Sequence, residues 1–456
     1  MGVNELVSDL VVNAKKAQEE LAGYTQEELD AIVKVIARTV YDNAEELAKM
    51  AVEETGMGVY EDKVVKNIGK SKTIYNNLKD KKTVGVIGTD EKSSLTFVAK
   101  PIGVVGAVTP TTNPTVTPMC NSMFAIKGGN SIIIAPHPRS KKCSSYTVEL
   151  INKELKAQNV KHPENAIQII KEPSIEMSGE LMKSVDVVLA TGGMGMVRAA
   201  YSSGKPSYGV GAGNVQVIVD RDVDYVDATS KIIAGRKFDN GIICSGEQSI
   251  IAPEEVYDDV MEAAVKNGAF YADDDETVEK FRRILFIDGI INKDVVGQSV
   301  QTIAKLAGVN VPLNAKVIIL KASGIGNEDV LCKEKMCPVL SAFKYKTFEE
   351  AVKIAQTNLN VEGRGHTAAI HSNNQEHIEY AGLKLTISRL VVNAPSSTTA
   401  GGSLVNGFAP TTTLGCGTWG NNIISENLDY KHLINISRIG KVIEGKTPPT
   451  DDEIWS

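Results

Sequence analysis

Apolar residues recur every three or four positions through the first eighty residues, then every second position for a short stretch. Leu29, Val33, Ile36 and Val40 are spaced by four, three and four, which sets them on one face of a helix. Thr25 followed by Glu28 predicts a capping box, where hydroxyl and carboxylate satisfy backbone donors that the first turn leaves open. DNAEELAKMAVEETG repeats the pattern from Asp42 and predicts a stop at Gly56, since glycine accepts the left-handed turn that ends many helices. Over 83–99 the period becomes two, in TVGVIG and SLTFVA, with TDEKS between them. That predicts a hairpin whose extended arms pair with another subunit.

From Pro101 short apolar runs without alternation take over: IGVVGAVTP, SIIIAP, AIQII, DVVLAT and VQVIVD, separated by helical stretches. Strands buried on both faces and alternating with helices predict an open parallel sheet covered on both sides. A second set follows Asp224: SIIAP, KVIIL, PVLSAFKY, HTAAIHS and RLVVNAP. The expectation is an α/β chain with two parallel-sheet domains in series: 1–224, carrying the 83–99 hairpin, and 225–424. Residues 425–456 are expected to pack back on the first domain.

Length agrees, because 456 residues exceed what one core organises. A net charge of −7 gives no basic footprint, so nucleic acid is not an expected partner. No apolar run approaches the ~20 residues of a membrane span, and MGVNELVSDLVVNAKK has neither the basic start nor the cleavage site of a signal peptide. Six scattered cysteines predict free thiols in a reducing compartment, the cytoplasm. Cys332 and Cys337 lack a second pair or a histidine at ligand spacing, so no metal is expected.

Candidate chemistry concentrates at strand ends, where open α/β sheets bind ligands. ATGGMGMVRAA follows the strand DVVL and opens a helix; Gly193 and Gly195 fit G-x-G-x-x-G, but Arg198 stands where the last glycine belongs. A phosphate loop and a tight turn both remain open there. GVGAGN at 209–214 precedes a strand and reads as a loop for close backbone approach. Asn113 lies between prolines in VTPTTNPTVTP, either a rigidly aimed amide or an Asx-turn. His137 and His366 at strand ends read as hydrogen-bonded structural residues, and Glu334 as a solvated charge or a functional acid. Cys244, between Gly241 and Gly246, is a thiol with little to pack around it.

Asn113, Cys244 and Glu334, in that order and context, resemble the aldehyde dehydrogenase superfamily over essentially the whole chain. APHPRSKK, TGGMGMVRAAYSSGKPSYGVGAGN, FDNGIICSGEQS, GHTAAIH and TTTLGCGTWGNN are similar to its CoA-acylating branch, nearest to members acting on succinate semialdehyde. The resemblance implies two Rossmann-like domains, 1–224 binding the cofactor and 225–424 catalytic, the hairpin serving oligomerisation into a homodimer or homotetramer. It implies Cys244 as nucleophile, with its own N–H and the Asn113 amide stabilising the oxyanion. Glu334 matches the acid that binds the nicotinamide ribose; Thr109, Pro110, Ala135, His137, Arg139, Thr191, Gly192, Gly193 and Gly211 complete the cofactor site.

Hydrolytic relatives carry ELGGK, whose Glu activates water; here Gly209 stands in its place. The acyl group is therefore expected to pass to CoA. Ala135 and Pro138 replace the Lys and Glu that hold the ribose in NAD-preferring relatives, and Arg139, Lys141 and Lys142 could take a 2′-phosphate, so NADP is expected, with NAD the alternative. For the remote carboxylate of succinate semialdehyde, Arg389 is the candidate cation. Ser245, Ser396, Ser397, Thr398 and Thr399 offer hydroxyls, and His366 joins them. Acetaldehyde or propionaldehyde is the alternative substrate; a hydrolytic enzyme and a catalytically silent binding protein are the rival readings.

Overall fold

The computed structural model describes residues 2–456. Its first parallel sheet has five strands, in the spatial order Ile167–Ile169, Ser131–Pro136, Val104–Thr109, Val187–Thr191 and Ser207–Val210. The chain enters at the middle strand, runs out to one edge, then returns to build the other side. That reversal opens a crevice beyond the carboxyl ends of Val104–Thr109 and Val187–Thr191. Val104–Thr109 and Ser131–Pro136 are buried at every position, which is why their sequences do not alternate.

The second sheet is seven-stranded and also parallel, ordered Ala269–Ala272, Val317–Lys321, Val339–Tyr345, Ser249–Pro253, Gln216–Val219, Gly365–His371 and Ile387–Val392. Gln216–Val219 therefore differs from the sequence expectation, which grouped it with the first sheet. The chain leaves the first sheet after Val210 and enters the second at Gln216, ahead of the boundary expected between 224 and 225. The reason is physical: the strand Gln216–Val219 is buried at every position, and such a run fixes burial but not its neighbours.

The hairpin forms from Gly85–Asp90 and Leu95–Pro101, and a third antiparallel strand, Ile434–Gly440, pairs along its second arm with Ile434 opposite Pro101. Much of this sheet faces solvent, including Val86 (58% exposed) and Ile439 (52%).

Of the four N-terminal helices, Val3–Leu21 packs on the first sheet, while Gln26–Asp42, Ala44–Thr55 and Tyr60–Leu78 pack on the helices Val116–Lys127 and Lys141–Ala157. Both capping-box bonds are made: Glu28 N–H donates to Thr25 Oγ1 at 3.3 Å and Thr25 N–H to Glu28 Oε2 at 2.9 Å. Such caps contribute about 1 kcal/mol. The helix Ala44–Thr55 ends at Gly56, with φ at +66°. The helix Tyr60–Leu78 buries Lys63, Asn67, Ser71, Ile74 and Leu78. Its inner stripe is polar at one end and apolar at the other, and the polar end reaches the second sheet's loops.

Candidate active site

Three consecutive residues before the candidate nucleophile, Asp239, Asn240 and Gly241, have φ values of +52°, +52° and +69°. A left-handed conformation costs a non-glycine residue about 1–2 kcal/mol, so the loop needs anchors. Asp239 supplies them: Oδ1 accepts the Val59 N–H at 2.9 Å, and Oδ2 accepts Lys63 Nζ at 3.1 Å together with Lys66 Nζ. Its own N–H donates to Asp62 Oδ2 at 2.8 Å. Asn240 Nδ2 donates to the Gly297 carbonyl at 2.9 Å. Burial alone would raise the Asp239 carboxyl, yet Lys66 and Lys63 outweigh it and hold it below the usual carboxylate range.

The glycine-rich loop 209–214 passes directly behind the thiol. A Cβ on Gly213 would lie 1.8 Å from the Cys244 carbonyl oxygen, so the close backbone approach expected there is present.

Cys244 is half-buried and lies where two cavities meet; Cys244, Asn113 and Thr412 line both. The larger, about 620 Å³, opens beyond the carboxyl ends of the first sheet, within the range of sites for drug-sized ligands. Of the residues expected to hold the cofactor, Thr109, Pro110, His137 and Arg139 line it, as do Thr191, Gly192, Gly193, Gly211 and Glu334. Gly193 and Gly195 face open space, leaving the backbone at the start of the helix Met194–Tyr201 approachable. Ala135 is fully buried in its strand and its neighbour Pro136 forms the wall instead.

The smaller cavity, about 180 Å³, takes Ser245, Ser397 and Thr398 from the expected set. It also takes Lys66 and Lys70, which the sequence reading missed. Lys66 Nζ donates to Asn113 Oδ1 at 2.9 Å. Lys70 Nζ donates to the Gly401 and Thr411 carbonyls at 2.8 and 3.0 Å. Among the described residues no carboxylate lies within ion-pair distance of Lys70, and burial pulls its ammonium down to about 8.

Several expected residues lie elsewhere. Arg389 is buried and committed to structure: it donates to Thr367 Oγ1 at 3.1 Å, Asn427 Oδ1 at 3.2 Å and the His366 carbonyl at 2.8 Å. It lines neither cavity, so it is not the cation of the smaller one. His366 is fully buried on the same strand pair, held well below its ordinary value by burial and then by Arg389. It lines neither cavity, and among the described residues its Nε2 has no hydrogen-bond partner. Ser396 is buried, its N–H donating to Glu247 Oε1 at 2.5 Å. Thr399 turns back to bond the Pro395 carbonyl at 2.7 Å.

Of the three basic residues expected at a 2′-phosphate, only Arg139 lines the larger cavity. Lys141 pairs with Glu172, and Glu54 accepts the Lys142 and Cys143 N–H groups at 2.8 Å each. A carboxylate thus caps the helix Lys141–Ala157, where none was expected.

Burial dominates the electrostatics of the site. Burial, then Glu334 and Cys416, push the Cys244 thiol up to about 12, with Arg389 opposing. Burial, then Glu362, raises Glu334 to about 8. Among the described residues, Glu334 is the one carboxylate lining either cavity. Gly209 lines neither; a Cβ there would lie 2.9 Å from Val197 Cγ1 and 3.0 Å from the Tyr201 ring.

Residues 2–272 match the model of the aldehyde dehydrogenase family. The chain is 62% identical over 449 residues to the succinate-semialdehyde dehydrogenase (acetylating) of Clostridium kluyveri, with 98% of each chain covered. An acetylating aldehyde dehydrogenase from Geobacillus thermoglucosidasius superposes with a TM-score of 0.94 at 38% identity, covering 98% of both chains. The propionaldehyde dehydrogenase of Rhodopseudomonas palustris, solved with bound CoA and an acylated cysteine, gives 0.86 at 29% identity, covering 96% of this chain and 98% of that one. These matches define an oxidoreductase acting on the aldehyde group. The chain belongs to the aldehyde dehydrogenase family.

Proposed function

We propose that the chain interconverts succinate semialdehyde, CoA and NADP⁺ with succinyl-CoA and NADPH through a thioester on Cys244. One observation carries this reading: the pocket beside Cys244 offers the Lys70 ammonium and no carboxylate. An ammonium without an anionic neighbour suits a substrate that brings its own carboxylate. A pocket without a carboxylate lacks the glutamate base that hydrolytic relatives use to activate water against a thioester.

The chain's own residues divide the work. Cys244 Sγ, once deprotonated, attacks the aldehyde carbon to give a thiohemiacetal. The Asn113 amide and the Cys244 N–H donate to the developing oxyanion. When bound, the nicotinamide takes the hydride. The thioester left on Cys244 is then exchanged: the CoA thiolate attacks the acyl carbon, and the Cys244 thiolate leaves.

The lining of the larger cavity suits a nicotinamide dinucleotide. Approachable backbone lies at Gly192 and Gly193, Glu334 stands ready for a ribose hydroxyl, and Arg139 is exposed and, among the described residues, has no carboxylate within ion-pair distance. That last feature favours NADP over NAD. Homology supports the substrate, since the Clostridium kluyveri relative is named for it. The solvent-facing sheet of Gly85–Asp90, Leu95–Pro101 and Ile434–Gly440 supports a homodimer or homotetramer, which light scattering tests. Six unpaired thiols suit the reducing cytoplasm, and among the described residues no helix is long and apolar enough to cross a membrane.

A product assay with and without CoA tests the reading. Succinyl-CoA and NADPH are expected to form together, with succinate release negligible when CoA is omitted. Equal rates of free acid without CoA would overturn it. A higher kcat/KM for acetaldehyde than for succinate semialdehyde would move the chain to a short-aldehyde substrate.

A further inference from the structure

We infer that Lys66 is a positioning residue that fixes which atom of the Asn113 amide faces the nucleophile, and that Asp239 ties this setting to the loop carrying Cys244. The inference rests on the oxyanion role proposed for Asn113.

An amide has two faces of opposite character, and only the NH₂ can donate to an oxyanion. Free rotation would present the wrong atom part of the time. Lys66 removes that freedom: an ammonium only donates, so the Asn113 atom 2.9 Å from Nζ is Oδ1, and Nδ2 is left as the outward group. The positive charge on the amide oxygen's side also polarises the NH₂ and strengthens it as a donor.

Lys66 is itself held. Its Nζ bonds Asp239 Oδ2, and its side chain is only 8% exposed, opposite a carboxylate with no exposure at all. Asp239 opens the left-handed triplet leading to Cys244. One carboxylate therefore anchors both the loop that presents the thiol and the ammonium that aims the amide. Lys70 is differently placed: it bonds two carbonyls and has no carboxylate partner. The two lysines line one cavity with separate tasks, Lys70 toward the substrate's charge and Lys66 toward the enzyme's own amide.

Lys66→Met is a fair test because Lys63 remains 3.1 Å from Asp239 and still pairs that buried charge. With succinate semialdehyde, CoA and NADP⁺, Lys66→Met is expected to lower kcat about 10- to 100-fold, short of the ~10²–10³ that a lost oxyanion donor costs. KM for the aldehyde should change less than threefold. In an Asn113→Ala background the same change should have almost no further effect. Multiplicative losses in the double variant, or a loss confined to KM, would overturn the inference.

Asn113→Asp supplies a second variant that keeps the contact with Lys66 while removing the donor. It is expected to fall at least as far as Asn113→Ala; activity near wild type would overturn the assignment of Oδ1 and Nδ2. Iodoacetamide labelling of Cys244 and a thermal melt, both expected near wild type, report the fold. These outcomes concern rate alone, whereas the CoA-dependent product assay decides the proposed function.

Discussion

The two cavities that meet at Cys244 are built in opposite ways. The larger is walled by loops at the ends of adjacent parallel strands, Thr109–Pro110, His137–Arg139 and Thr191–Gly193, each following directly from the strand before it. The smaller is walled by the helix Tyr60–Leu78 against the segments 397–403 and 411–414, more than three hundred residues further along the chain. The first is a property of the fold class and offers backbone to a nucleotide. The second depends on long-range packing and, with Lys66 spent on Asn113 and Asp239, offers the Lys70 ammonium, so selectivity among aldehydes is proposed to lie there.

Removing the shared atom is the harshest test of that division. Cys244→Ala should abolish NADPH formation by at least about 10⁴-fold, by analogy with losses on deleting other nucleophiles, while cofactor affinity measured by fluorescence stays within a factor of two. A variant that lost cofactor binding as well would mean the cavities are not separable. Next in size, Asn113→Ala should lower kcat by about 10²–10³ for charged and neutral aldehydes alike, because it acts at the carbonyl and not at the tail. Lys70→Met should separate the cavities most cleanly. A hydrogen bond to a charged group contributes about 1.5–3 kcal/mol, so kcat/KM for succinate semialdehyde should fall about 10- to 100-fold while that for acetaldehyde holds.

The pH dependence sharpens the same contrast. Burial lowers Lys70 to about 8, below the ordinary lysine value, so its charge is present at pH 7 and largely lost by pH 9. The ratio of kcat/KM for succinate semialdehyde to that for acetaldehyde should therefore decline across this window. Taking the ratio cancels Cys244 and Glu334, which both substrates share. A flat ratio would remove Lys70 from substrate recognition. The smallest expected change is at the far end of the larger cavity, where Arg139→Ala should reduce the preference for NADP over NAD about tenfold. An unchanged ratio would mean that another group reads the 2′-phosphate.

What could be read from the sequence follows the same split. Thr25 and Glu28, Gly56 and the buried runs IGVVGAVTP and SIIIAP announced their structures because cap chemistry and strand burial are local. The places of Thr109 and Thr191 at the cleft were legible because each ends its strand, whereas Glu334, ahead of the strand Val339–Tyr345, was singled out only by the family resemblance. Lys66 and Lys70 were not. They stand in YEDKVVKNIGKSKTIYNNL, whose charges read as a solvated face, and their partners Asp239 and Gly401 are 173 and 331 residues away. One signal was present: Lys63, Asn67, Ser71, Ile74 and Leu78 fall at spacings of four, four, three and four, an inner stripe with polar residues at its start. Arg389 misled for the complementary reason. A cation near the motif set looked available, and only the three bonds it makes show it to be spent on its own strand pair.

Gly209 carries a lesson for redesign. The volume a side chain would need there is occupied by Val197 and by the ring of Tyr201, whose hydroxyl accepts the N–H groups of Gly209 and Ile423 at 3.2 and 3.1 Å. A Gly209→Glu change alone should yield an unstable protein rather than a carboxylic-acid producer. On the resemblance that places the hydrolytic base at this position, turning the chain toward hydrolysis would require hollowing out the helix Met194–Tyr201 first.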